Sequence, residues 1–139
     1  MKKTRALADQ SVHVKFILSG LWVSVMLCYI YGDYFGLYKP GKLQGMLDGH
    51  MGSLGAITQG VLVGTSILMA IPAVMVFLTL VLRAPVNRWL NMILGIVYTA
   101  IMLLTMPGAW MFYIVLGIIE VVLTLLIFWY AFRWPRQIA

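Results

Sequence analysis

The stretch from Trp110 to Phe132, WMFYIVLGIIEVVLTLLIFWYAF, decides the fold. As a helix rising 1.5 Å per residue it spans about 35 Å, enough to cross a hydrocarbon core about 30 Å thick. One residue charged at neutral pH in water, Glu120, interrupts it near its middle. A helix apolar on every face belongs either in a large protein core or in lipid, and a chain of 139 residues has no core large enough to swallow it.

Working outward, three more segments of the same kind appear: Phe16 to Phe35, Ser53 to Leu82 and Trp89 to Met106. Composition agrees, with 63% hydrophobic residues, 10% charged residues and a mean hydropathy of +0.97. Soluble domains carry about 25% charged residues, so water is not the main solvent here. The reading is an all-α, polytopic transmembrane four-helix bundle forming one domain over residues 1–139, with the lipid bilayer as its surroundings.

The connections are unequal. The segment from Gly36 to Gly52 holds the turn Lys39-Pro40-Gly41-Lys42 and then Asp48-Gly49-His50, which suits an ordered loop with one interfacial turn. Residues Arg83 to Arg88 read as a short turn with Asn87 capping the third helix, and Pro107-Gly108 closes the last two helices into a hairpin. Ser53 to Leu82 is too long for a perpendicular span, so it must tilt, protrude or bend, and Pro72 marks the expected bend. Gly52, Gly55, Gly60 and Gly64 thin the half before it and permit close approach by a neighbour, within the bundle or in a homo-oligomer, which is the expected state.

Ten cations give a net charge of +6. They sit at the ends of apolar runs and form no stripe for nucleic acid, which is therefore not an expected partner. Lys2, Lys3, Arg5, Lys15, Arg83, Arg88, Arg133 and Arg136 fall on the side of the two termini, against Lys39 and Lys42 on the other. That asymmetry predicts a multi-pass protein of a bacterial cytoplasmic membrane with both termini in the cytoplasm. The basic N-terminus followed by an apolar run resembles a signal peptide, but the run is long and carries bulky Tyr29, Tyr31 and Tyr34, so it is read as a retained anchor. Trp89, Trp110, Trp129, Trp134, Tyr38 and Tyr130 read as interfacial belt residues. A single cysteine, Cys28, excludes an internal disulfide and reads as a packing residue.

Glu120 carries the most information. A lone carboxylate at mid-membrane costs several kcal/mol, so it should be protonated, paired or hydrated, and turned away from lipid. Tyr113, Gly117 and Thr124, at i−7, i−3 and i+4, give its helix one polar, small-residue stripe. Matching stripes run through Ser19, Trp22, Met26, Tyr29 and Asp33 in the first helix, and through Asn91, Gly95, Tyr98 or Thr99, and Met102 in the third. The expected arrangement is a cavity around Asp33, Gln59, Tyr113 and Glu120, open to the outer half of the membrane, with Trp22, Met26 and Tyr29 as its apolar wall and Tyr98 and Thr124 among the ligand-binding residues. Glu120 and Asp33 are its candidate proton donors and acceptors. The competing structural reading makes Glu120 interhelical glue, bonded to a Thr, Tyr or backbone carbonyl across the bundle.

Asp48 and His50 lie two apart in a glycine-rich loop, which is a poor metal site, and a hydrated turn is the simpler reading; no metal and no cofactor are expected. Motifs for a serine hydrolase, a phosphate-binding loop, a zinc protease and a voltage sensor are all missing.

Leu21-Trp22 through Tyr31-Gly32-Asp33, Ile57-Thr58-Gln59-Gly60 through Ile71-Pro72, Asn87-Arg88-Trp89, and Ile119-Glu120 with Trp129-Tyr130 resemble a family of uncharacterised bacterial four-helix membrane proteins of this length. The resemblance covers nearly the whole chain and implies four spans and no particular activity. The family pattern has an acid just before the Ile71-Pro72 pair, whereas Ala70 stands here, which tells against a mechanism needing three acids. In architecture the chain is also similar to DoxX-like proteins and to the sterol-isomerase-type domain, which places acids in a lipophilic pocket.

Three functions follow as expectations. The first is a protein that binds or transports a small cationic or lipophilic molecule, or ions, through Glu120. The second is an intramembrane isomerase or cyclase in which Glu120 or Asp33 protonates a lipid-like substrate and Trp22, Tyr29 and Tyr113 stabilise the cation that develops. The third is a structural or accessory subunit.

Overall fold

A computed structural model describes residues 10–135. Lys2, Lys3, Arg5 and Arg136, used above for orientation, lie outside the described residues. Four long helices form the bundle: α1 (Val14–Gly36), α3 (Gln59–Val81), α4 (Ala84–Thr105) and α5 (Met111–Phe132); all four are long and apolar enough to cross a membrane. A six-residue helix, α2 (Lys42–Leu47), and a 3-10 turn (Gly52–Leu54) lie in the long loop. Most large apolar side chains point outward, including Ile71, Phe77, Ile93, Leu104, Ile118 and Leu125, as lipid-facing helices require.

The second span begins later than its apolar run suggests. Gly55 adopts a positive φ of 79°, His50 pairs with Ala56, and Ile57 N–H donates to the Gly49 carbonyl, so residues 49–57 fold back as loop. The Thr58 hydroxyl then accepts from Val61 N–H at 3.2 Å and starts α3 at Gln59. The third span begins earlier than expected. Pro85 is tolerated in a first helical turn, where no N–H is needed, so α4 starts at Ala84 with Arg83 as its cap. Asn87 is therefore no cap; it lies inside α4 and is fully buried.

Around the bundle the order is α3, α1, α5, α4. The α4–α5 contact is the tightest, since a Cβ on Gly95 would sit 3.0 Å from the Thr124 carbonyl oxygen and 3.1 Å from the Phe128 nitrogen. At that level the Thr99 and Thr124 hydroxyls meet at 2.6 Å. The sequential pair α3 and α4 is packed least, although one short turn joins them.

The two ends of the bundle differ. At the end holding both termini, Leu18, Trp22, Val25, Met75 and Ile127 are buried to 2% exposure or less and fill the interior. A chain of buried hydrogen bonds runs through them. Trp22 Nε1 donates to Asn91 Oδ1 at 2.7 Å, Asn91 Nδ2 to Asn87 Oδ1 at 2.7 Å, and Asn87 Nδ2 to the Thr79 carbonyl at 2.6 Å, tying α1, α4 and α3 together. Cations at this end cap helix C-termini, where carbonyls lack partners. Lys15 Nζ reaches the Leu82 carbonyl at 2.7 Å, and Arg88 Nε reaches the Ala131 carbonyl at 3.2 Å. At the opposite, loop end the interior is not filled: every buried residue of α3 lies at or after Pro72.

Candidate functional site

That unfilled half holds a cavity of about 160 Å³. Its wall is built from all four long helices: Tyr29 and Asp33 from α1, Leu68 and Met69 from α3, Tyr98 and Thr105 among others from α4, and Tyr113 and Glu120 from α5. Tyr29 and Tyr98 rings pack at 6.4 Å between centroids, and the Tyr113 hydroxyl donates to Thr105 Oγ1 at 3.0 Å. Three tyrosines therefore border one small space.

Glu120 sits nine residues from the loop end of α5, about 14 Å along its axis. Its side chain is 3% exposed, and Oε2 is buried with no hydrogen-bond partner among the described residues. The helix-gluing role is taken by its neighbour: Thr124 Oγ1 bonds both to Thr99 Oγ1 and to the Glu120 backbone carbonyl at 2.9 Å. Among the described residues the carboxyl thus has no hydrogen-bond partner, and Glu120 borders the cavity. An unsatisfied buried polar atom costs about 1–3 kcal/mol or more for a charged group, which is what a ligand or water in the cavity would recover.

Asp33 lies at the loop-end mouth, exposed, with Lys42 of the loop close enough to attract it but forming no ion pair within reach among the described residues. Asp33 and Glu120 border the same cavity. Both acids of the sequence reading are therefore brought together, along with Tyr29, Tyr98 and Tyr113.

Four other residues singled out by sequence do not line it. Trp22 is fully buried beneath, its indole engaged by Asn91. Met26 is half-buried on α1 outside the lining, Gln59 is exposed at the first turn of α3, and Thr124 sits one turn below Glu120. Gln59 misses because α3 starts at that residue, which places it at the loop end of the bundle. Sequence reasoning overlooked Leu68, Met69, Ile101 and Thr105, which look like ordinary lipid-facing or packing residues until the gap between α3 and α4 is seen. Asp48 accepts from Gln44 at 3.1 Å, His50 contacts the Asp48 carbonyl at 3.1 Å, and neither borders the cavity.

Residues 7–139 match the family of unknown function DUF6326, and the chain belongs to that family. No curated protein and no solved structure matches it.

Proposed function

We propose that this multi-pass member of DUF6326 binds a small lipophilic cation, such as a protonated or quaternary amine, with Glu120 as counter-ion. The observation that carries this reading is a 97% buried carboxyl that has no hydrogen-bond partner among the described residues and belongs to a cavity lined by three tyrosines. Carboxylates attract ammonium groups strongly where water is scarce, and aromatic faces favour quaternary ammonium ions. A cavity near 150 Å³ accommodates a benzene-sized molecule, which bounds the ligand. Asp33 at the mouth supplies a second negative charge along the way in.

Binding fits better than conduction. The terminal half is closed by Trp22, Leu18, Met75 and the Trp22–Asn91–Asn87 hydrogen-bond chain, so the cavity has one open end. The isomerase alternative asks Trp22 to flank a developing cation, and its indole is engaged elsewhere. On the bias of the cations the termini face the cytoplasm, which opens the cavity toward the outer leaflet.

Benzylammonium and its neutral counterpart benzyl alcohol test the reading. A ligand that binds only the folded state raises its melting temperature in proportion to ln(1 + [L]/Kd). Benzylammonium is expected to stabilise the purified protein more than benzyl alcohol does, and Glu120→Gln to abolish the difference. Equal stabilisation by the two probes in the unmodified protein contradicts the proposal.

A further inference from the structure

Helix α3 is two halves with different attachments. Beyond Pro72 it is held to the bundle by Ser19 Oγ on the Val76 carbonyl (2.8 Å), Asn87 Nδ2 on the Thr79 carbonyl (2.6 Å) and Lys15 Nζ on the Leu82 carbonyl at its cap (2.7 Å). Before Pro72 no residue is buried, and the Cβ position of Gly64 meets nothing within 4 Å.

Between the halves, Pro72 has no N–H, so the Leu68 carbonyl four residues earlier lacks its helical donor. In a membrane that oxygen needs another partner. The Tyr98 hydroxyl of α4 supplies it at 2.6 Å. Among the described residues this is the one side-chain hydrogen bond joining the loop-end half of α3 to another membrane helix. Both partners belong to the cavity wall, with Met69 beside them.

We infer that the loop-end half of α3 is a gate hinged at Pro72 and latched by the Tyr98–Leu68 hydrogen bond, and that its swing opens the cavity sideways between α3 and α4 to the lipid. Lateral opening suits a lipophilic ligand, which partitions into the bilayer before it reaches a carboxyl at mid-depth. The gate concerns access to the site proposed above, yet its geometry does not require that any ligand be identified.

Two variants separate latch from hinge. Tyr98→Phe keeps the ring, and with it the edge-on contact to Trp22 at 5.9 Å, and removes only the hydroxyl. Pro72→Ala restores an N–H that satisfies Leu68 without Tyr98. In a Cys28→Ser background, spin labels at Gly64→Cys on the gate and Leu104→Cys on α4 report the opening by pulsed dipolar spectroscopy in lipid nanodiscs without added ligand; Leu104 is 81% exposed and tolerates a label. A control pair, Phe77→Cys with Leu104→Cys, reports the anchored half.

Tyr98→Phe is expected to raise the longer-distance population for the gate pair on the order of fivefold, the ratio that loss of one hydrogen bond allows, and to leave the control pair unchanged. Pro72→Ala is expected to narrow the gate distribution and to cancel the effect of Tyr98→Phe when the two are combined. A gate distribution identical with and without Tyr98→Phe overturns the inference. Should that variant fail to fold, a Pro72→Ala protein with the same spread as the unmodified one overturns it equally. Because no ligand is present, a rigid α3 leaves the cation reading standing, and absence of cation binding leaves the gate standing.

Discussion

The indole nitrogen of Trp22 donates to Oδ1 of Asn91 across 2.7 Å, and both side chains are fully buried. This bond joins α1 to α4, which are not neighbours around the bundle, and it lies just beneath the Tyr98 ring. It closes the interior beneath the cavity without lining it. Below it, polar atoms are paired and apolar side chains fill the interior; above it, a Glu120 carboxyl oxygen has no partner among the described residues.

Trp22→Phe removes the donor while keeping an aromatic ring. Asn91 Oδ1 is then buried without its partner, a loss of about 1–3 kcal/mol. Unfolding in mixed micelles is expected to show that loss, and a stability unchanged within a few tenths of a kcal/mol would mean that water replaces the indole, so the terminal half of the bundle is not sealed.

Close packing of α4 on α5 sets a second expectation. An alanine at Gly95 meets the backbone of Thr124 and Phe128 at 3.0 and 3.1 Å, whereas one at Gly117 meets the ends of Met102 and Met106 at 2.8 and 3.2 Å. Backbone cannot yield without moving a helix, but methionine side chains can turn aside. Gly95→Ala is therefore expected to cost about 1–3 kcal/mol and Gly117→Ala clearly less, as measured by thermal unfolding. The reverse order would place the tight crossing at the wrong level.

The four spans could be read from apolar runs because lipid demands continuous hydrophobicity, and that demand leaves a mark on every residue of a helix. Their ends were less legible. Ser53 to Ile57 are apolar or small enough to extend a helix, and the glycine at position 55 with its positive φ, together with the Thr58 cap, ends that possibility only in three dimensions. Asn87 looked like a cap because Asn caps helices often, but Pro85 had already started the helix three residues earlier.

Part of the cavity lining was legible where burial of a charge forces an answer. Glu120 and Tyr113 share one face of a single helix, and helical spacing alone relates them. Trp22 and Met26 share a stripe with Tyr29 and Asp33 by the same spacing, yet only the latter two reach the cavity, because the empty space occupies one half of the bundle's depth. Spacing gives the face of a helix and says nothing about where along it neighbouring helices part.

Asp33 and Glu120 differ in burial, and so should their effects. Asp33 is exposed at the mouth, where an ion pair contributes roughly 0.2–1 kcal/mol, so Asp33→Asn is expected to weaken binding of tetramethylammonium about two- to fivefold. Glu120→Gln removes a buried charge and is expected to weaken it about 10- to 100-fold. Isothermal titration of the two variants checks the ranking, and a larger effect at Asp33 would move the binding centre to the mouth.

If Glu120 is the counter-ion of a bound cation, its charge governs the affinity. Tetramethylammonium keeps its charge at every pH, so any change of its affinity with pH belongs to the protein. Protonation removes the negative charge of a carboxylate, so affinity is expected to fall as pH is lowered, to keep that trend in Asp33→Asn, and to become weak and nearly flat in Glu120→Gln. Parallel pH profiles in the unmodified protein and in Glu120→Gln would mean that Glu120 is not the counter-ion.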